Sequence, residues 1–273
     1  MHTDSKKFHT RKLREKILTM AFKGQAVHIG CAFSIVEILA VLYRSFLRYP
    51  GGQVNSPNRD FLVLSKGHGV MAQYACLNEI GWVSDEMIQE YFLDGSALKG
   101  LSDSRIPGLE VTSGSLGHGF SVGVGIAYGL KILKKNQRVF VIVGDGEINE
   151  GAIWEGALFA SHHKLRDFIV IVDENSLQAM GKTDQILNLG SIGEKFKSFG
   201  FNVCEVDGHD EIALEASISK VLSEDCNLPK AIIAKTIKGK GVDFMEGDNK
   251  WHYTRLNEES YKEALVMLGV KNL

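Results

Sequence analysis

Val139-Phe140-Val141-Ile142-Val143 runs directly into Gly144-Asp145-Gly146-Glu147-Ile148-Asn149-Glu150-Gly151, and this stretch decides the fold. An apolar run without polar interruption suits a strand covered on both faces, the habit of parallel sheets. The two glycines that follow let the backbone turn sharply and approach a ligand closely, and Asp145 between them projects a carboxylate from the strand end. Asp-Gly by itself is a common turn dipeptide. A second apolar run, Phe168–Val172, ends in Asp173-Glu174-Asn175-Ser176-Leu177, which sets Asn175 30 residues after Asp145. A strand–helix–strand crossover of that length brings both side chains to one rim. A carboxylate and an amide carbonyl form a hard oxygen set for Mg2+ or Ca2+, and Mg2+ completes its octahedron with water and ligand phosphates. A metal-bound diphosphate is the natural third party. No GxxxxGK[ST] occurs, and Gly123-x-Gly125 is not the GxGxxG of a dinucleotide fold, so a nucleotide is the weaker candidate.

The alternation extends outward from this pair. Phe61–Leu64, Asn202–Val206 and Ala231–Lys235 are further strand candidates. Helical spacing marks Lys6–Phe22, Ser34–Phe46, Leu116–Leu133, Asn149–His163, Ile212–Leu222 and Glu258–Leu268. Ser34 with Glu37 three residues later predicts a capping box at the head of its helix. The expected fold is therefore α/β, a doubly wound and mostly parallel sheet with helices on both faces, formed by a single domain over residues 1–273. Ligands of such sheets bind at the carboxyl ends of the strands.

Composition narrows the function classes. Lys+Arg 31 against Asp+Glu 33 gives a formal net charge of −2, which argues against nucleic acid or an anionic membrane as a partner held by bulk charge. Met1–Lys16 has no apolar core of a secretory signal, and no run approaches the length of a membrane span, so a cytoplasmic location is expected. Cys31, Cys76, Cys204 and Cys226 form no CxxC pair; their spacing argues for reduced packing residues and against a zinc site or a disulfide framework. Glycine, at 29 of 273 residues, is about 11% against a usual ~7%, and it clusters where tight turns are needed.

Four more segments accompany the Gly144-Asp145-Gly146…Asn175 pair: Val27-His28-Ile29-Gly30 leading to Ser34, Glu37, Ile38 and Leu39; Leu64-Ser65-Lys66-Gly67-His68-Gly69; Pro107-Gly108-Leu109-Glu110-Val111-Thr112-Ser113-Gly114-Ser115-Leu116-Gly117-His118-Gly119; and Lys238-Gly239-Lys240-Gly241-Val242 before Trp251-His252. In this order, along nearly its whole length, the chain resembles the N-terminal, diphosphate-binding domain of transketolase. The resemblance implies thiamine diphosphate as cofactor, with Mg2+ or Ca2+ held by the Asp145 and Asn175 side chains and the Leu177 carbonyl. It implies that Gly144 and Gly146 face the diphosphate, that Gly114, Ser115 and Leu116 lie along the aminopyrimidine, and that Glu150 is a buried acid linking paired active sites. It makes His28, His68 and His252 catalytic, with His68 and His252 also touching the cofactor. Near pH 7 an imidazole can donate to a diphosphate or shuttle protons to carbonyl and hydroxyl oxygens.

The implied reaction moves a two-carbon ketol unit from a ketose to an aldehyde. In this family the Glu that activates the cofactor belongs to a second, pyrimidine-binding domain, which these 273 residues do not contain. The expectation is one subunit of a split transketolase, active only with a C-terminal partner and assembled as a dimer of heterodimers. Two departures bear on the substrate. Leu101 of Gly100-Leu101-Ser102-Asp103 stands where the family usually has the His of Gly-His-Pro, and Tyr253 follows His252 where Gly is frequent. A leucine cannot hydrogen-bond a hydroxyl, so a modified sugar is a candidate donor. Rival readings are the alpha subunit of a 2-oxoacid dehydrogenase, a deoxyxylulose-phosphate-synthase-like enzyme, and a non-catalytic cofactor-binding subunit.

Overall fold

Alternate residues of each apolar run face opposite sides of a strand, and here both sides are buried. Phe140, Ile142, Ile169, Ile171, Ile232 and Ala234 enter one core, while Val139, Val141, Val143, Phe168, Val170, Val172, Ala231 and Ile233 enter the other. The computed structural model describes residues 7–270. Along the chain, α1 (Thr10–Lys23), α2 (Ile29–Phe33) and α3 (Val36–Val41) precede β1 (Phe61–Leu64). Next come α4 (Val70–Glu79), α5 (Asp85–Gln89), α6 (His118–Ile132) and β2 (Val139–Gly144). Helix α7 (Gly151–His162) leads to β3 (Phe168–Glu174), and α8 (Thr183–Leu187) with α9 (Ile192–Ser198) leads to β4 (Asn202–Asp207). Finally α10 (Glu211–Ser223) crosses to β5 (Lys230–Lys235), and α11 (Glu258–Met267) follows.

The strands lie in the order β1-β2-β3-β5-β4, and every pairing is parallel. Helices α1 to α5, α10 and α11 pack on one face, and α6, α7 and α9 on the other. This is the doubly wound α/β sheet expected from the sequence. Register levels the carboxyl ends: Leu64 pairs with Ile142, Gly144 with Asp173, and Glu174 with Lys235. The loops that follow β1, β2, β3 and β5 therefore open on one rim.

The N-terminal helices depart from the expectation. The described helix begins at Thr10, and Lys6, the predicted start, lies outside the described residues. Ser34–Phe46 is not one capped helix. Ile35 occupies the cap position of α3 with no side-chain bond, and Leu42–Phe46 continues as a π turn. Ser34 directs its hydroxyl to the Cys31 carbonyl and to Asp173, 2.7 Å away, and Glu37 pairs with Arg14 at 2.6 Å and His209 at 2.9 Å. Both side chains of the predicted box are claimed by buried tertiary partners, which outcompete a local cap.

Helix α6 rests on the sheet through Gly123, where an added Cβ would sit 2.5 Å from Val141 Cγ2, whereas Gly125 faces open space. Gly123→Ala must push the helix off β2 and is expected to cost about 1–3 kcal/mol. Gly125→Ala is expected to gain up to ~1 kcal/mol from helix propensity. Urea denaturation of the two variants checks the opposite signs.

Candidate active site

Asp173, at the end of β3 and fully buried, gathers donors from four places. Its carboxylate accepts from Lys66 after β1, from Ser34 after α2, from Thr236 after β5, and from the Asn175 amide at 3.0 Å. Burial works against both charges of the Lys66–Asp173 pair, yet their mutual attraction and these hydrogen bonds hold Asp173 below and Lys66 above the ordinary range. A second buried acid, Glu147, accepts from Ser65 Oγ at 2.5 Å, from the Gly117 N–H at 2.8 Å and from the Gly144 N–H at 3.2 Å. It ties the ends of β1 and β2 to the start of α6.

Above these anchors lies a cavity of about 620 Å³. It is lined by His28, His68, His252, Gly114, Leu116, Gly144, Asp145, Gly146, Glu150, Asn175 and Leu177, so nearly the whole predicted constellation shares one space. Ser115 is exposed and does not line it. Asp145 accepts from the Gly146 N–H at 2.7 Å and the Ser176 N–H at 2.5 Å. Burial first, and then the charge of Asp173, push its carboxyl up to about 7. Asn175 Oδ1 accepts from the Leu177 N–H at 3.1 Å, and the Leu177 carbonyl accepts from Lys238 Nζ at 3.0 Å. Glu150 is exposed on this single chain, which leaves its expected burial between paired active sites to an assembly of more than one copy. It precedes α7 on the solvent side of the turn, and the acid that turns inward is Glu147.

Three histidine rings form a near-equilateral triangle, with centroids 5.4, 5.4 and 5.5 Å apart for His28–His68, His28–His252 and His68–His252. The His28 N–H donates to the His252 carbonyl at 3.0 Å, which joins the two loops, and His28 is held at φ 68°, in the left-handed region that costs a non-glycine residue energy. Burial, with Lys66 and Lys238 nearby, lowers His28 to about 4; burial, Lys238, His28 and Lys66 lower His252 to about 3. Burial, Lys66 and the other two histidines push His68 well down as well. All three are neutral imidazoles at pH 7, each with one donor and one acceptor nitrogen.

Several cavity residues were not singled out by the sequence reading. Lys66 and Lys238 are buried, and their positions inside Ser-Lys-Gly-His-Gly and Lys-Gly-Lys-Gly were the available signal. Cys31, assigned to packing, lines the cavity and places Sγ 3.7 Å from His252 Nδ1. Asn149 and Gln178 also line it, and the Oδ1 of the first and Nε2 of the second are buried and without a hydrogen-bond partner.

This arrangement has counterparts of known kind. Residues 10–272 match the family described as transketolase, thiamine diphosphate binding domain. The chain belongs to that family. It is 36% identical over 265 residues to one of the apulose-4-phosphate transketolase subunits, that of Phocaeicola vulgatus, covering 97% of this chain and 94% of that protein. It is 37% identical over 242 residues to a 6-deoxy-6-sulfo-D-fructose transketolase subunit of a Clostridium species, covering 88% of each. The transketolase of Campylobacter jejuni superposes with a TM-score of 0.88 at 29% identity, over 95% of this chain and 42% of that one. This transketolase-family domain thus spans about two fifths of that solved relative. Among the described residues no helix is long and apolar enough to cross a membrane.

The neutral histidines carry a pH signature. The unfolded chain takes up protons on these imidazoles near 6.5, whereas the folded chain does so near 4 at His28 and 3 at His252. Between those values the unfolded state binds more protons, so stability present above about 6.5 is lost as the pH falls toward 4. Urea denaturation across this window is expected to show the loss, and His252→Gln is expected to flatten it; an unchanged slope in the variant would overturn the neutral assignment.

Proposed function

We propose that this chain is the diphosphate-binding subunit of a two-subunit transketolase, which transfers a two-carbon ketol unit from a ketose phosphate or modified sugar to an aldehyde. The observation that carries the reading is the convergence, in one cavity, of the Asp145, Asn175 and Leu177 oxygens with three neutral histidines and two buried lysines. The residues present fit thiamine diphosphate with a divalent cation, Mg2+ or Ca2+. The donor set is hard oxygen, and two residues of the wall, Asn149 and Gln178, each keep a buried polar atom, Oδ1 and Nε2, without a partner.

In this reading Asp145 and Asn175 hold the metal by side chain, and Leu177 by the carbonyl that Lys238 now engages. Lys238 is then the cation placed to neutralise phosphate oxygens, because Lys66 is committed to Asp173. Gly144 and Gly146 keep the backbone open toward the diphosphate; an added Cβ at Gly146 would fall 2.8 Å from Gln178 Cγ. Gly114 and Leu116 line the cavity where the aminopyrimidine would lie, and Ser115 between them is outside its wall. The cofactor supplies the electron sink for carbon–carbon bond cleavage. His28, His68 and His252 donate to, or take protons from, the carbonyl and hydroxyl oxygens of the donor sugar, and His68 and His252 also contact the cofactor. Leu101, 44% exposed at the cavity wall, offers no hydrogen bond there and favours a donor other than the ordinary pentose phosphates.

Support for a separate partner comes from the relatives. Two proteins of nearly matching extent are named as transketolase subunits, whereas the Campylobacter transketolase is more than twice as long as the part matched. The partner would carry the pyrimidine-binding domain and its Glu, and Glu150, exposed at the rim, is placed to meet a second copy in a dimer of heterodimers. A cytoplasmic location accords with the free cysteines.

Calorimetric titration of thiamine diphosphate with Mg2+ tests the site. Asp145→Ala is expected to weaken binding by more than the roughly 10–100-fold lost when only a ligand's hydrogen-bond partner is removed; equal binding by both proteins would discard the metal assignment. Ketol transfer is expected only when the chain is mixed with its partner subunit, and robust turnover by the chain alone would sink the two-subunit reading.

A further inference from the structure

One wall of the cavity has a donor set unlike the oxygen ligands opposite. Cys31 in α2, His68 after β1 and His252 after β5 offer a sulfur and two ring nitrogens that all lie within 4.8 Å of one another. Cys31 and His252 are buried and His68 is half-buried. The ring of His28 stands 5.4 Å from those of both His68 and His252 and closes the fourth side. A thiolate with imidazoles is a borderline-soft set that selects Zn2+ over Mg2+ or Ca2+.

We propose that Cys31, His68 and His252 form a second metal site, for Zn2+ or a similar thiophilic divalent cation, distinct from the oxygen site at Asp145 and Asn175. Tetrahedral bonds of the usual length require ligand atoms about 3.3–3.8 Å apart, and Cys31 Sγ already stands 3.7 Å from His252 Nδ1. Small rotations of His68 and His252 close the remainder, and His28 or water completes the shell. Binding replaces the Cys31 S–H with a Zn–S bond and releases that proton to solvent. The competing cation is Lys238, whose ammonium lies 3.1 Å from His252 Nδ1; when the metal takes that nitrogen while the oxygen site is empty, Lys238 keeps the Leu177 carbonyl at 3.0 Å and Asn249 Oδ1 at 3.4 Å. Lys66 does not compete, since Asp173 neutralises it. The donor geometry stands apart from the reaction proposed above, but it uses His68 and His252, so such a metal competes there with cofactor and sugar.

Co2+ titrated into the full chain without thiamine diphosphate reads the site directly. A sulfur-to-cobalt charge-transfer band in the near ultraviolet is expected, saturating at one equivalent and abolished by added Zn2+. Cys31→Ser should remove the band and weaken Zn2+ binding at least about tenfold, and His252→Asn should weaken it likewise. Lys238→Met should tighten it, a gain that general structural damage would not produce. Cys204→Ser should leave the band intact. Absence of the band in the unaltered chain, or its persistence in Cys31→Ser, would overturn the proposal, and the first of these outcomes needs no variant to fold.

Discussion

The site end of the sheet is organised around one buried carboxylate. Asp173 is wholly removed from solvent, and a charge in that position is costly unless it is paired and fully hydrogen-bonded. Its partners, Lys66, Ser34, Thr236 and Asn175, come from the segments after β1, α2, β5 and β3. Satisfying a single carboxylate thus draws four loops to one point. The same bonds set the orientation of Asn175: its amide nitrogen donates to Asp173, and its oxygen, turned the other way, accepts from the Leu177 N–H and keeps a lone pair for a further partner. The charge of Asp173 also helps raise Asp145, so the cavity holds a carboxylate that gains from a cation.

Charge is compensated locally here. Lys66 balances Asp173, while Lys238 stands beside three imidazoles that burial keeps neutral. A metal with a diphosphate adds two groups of opposite sign, and such a ligand asks for one or two cations, not a basic surface. The net charge of −2, which argued against polyanion binding by bulk charge, is compatible with this local compensation.

The five strands were legible because strands buried on both faces must be apolar throughout, and the observed strands differ from the predicted ones by at most two residues at an end. The grouping of Asp145 and Asn175 was legible for a related reason: a crossover of fixed hand between adjacent parallel strands leaves little choice of where their ends lie. What failed was local chemistry overruled by distant partners. Ser34 and Glu37 carry a capping-box pattern, but Asp173 claims the hydroxyl and Arg14 the carboxylate. Glu147 was missed for the same reason, since only the positions of Ser65 and Gly117, distant in sequence, decide that it turns inward. Cys31, His68 and His252 are 37 and 184 residues apart in sequence, so no ligand spacing could have announced them.

The remaining feature is what the cavity leaves open. Its mouth carries Met180 at 75% exposure and Leu187 at 56%, beside Leu101 and Tyr253. Apolar side chains gathered at the rim of a polar cavity are a poor ending for a surface that faces water alone. Hydrogen-bonding groups of the cavity floor are anchored by Asp173 and Glu147, whereas these rim groups, on loops and at the end of α8, are open to solvent among the described residues. A rigid floor with an uncovered apolar lip is the form one half of a shared site takes. It accords with the two-subunit reading, in which the floor fixes the diphosphate end of the ligand and a second surface closes over the other.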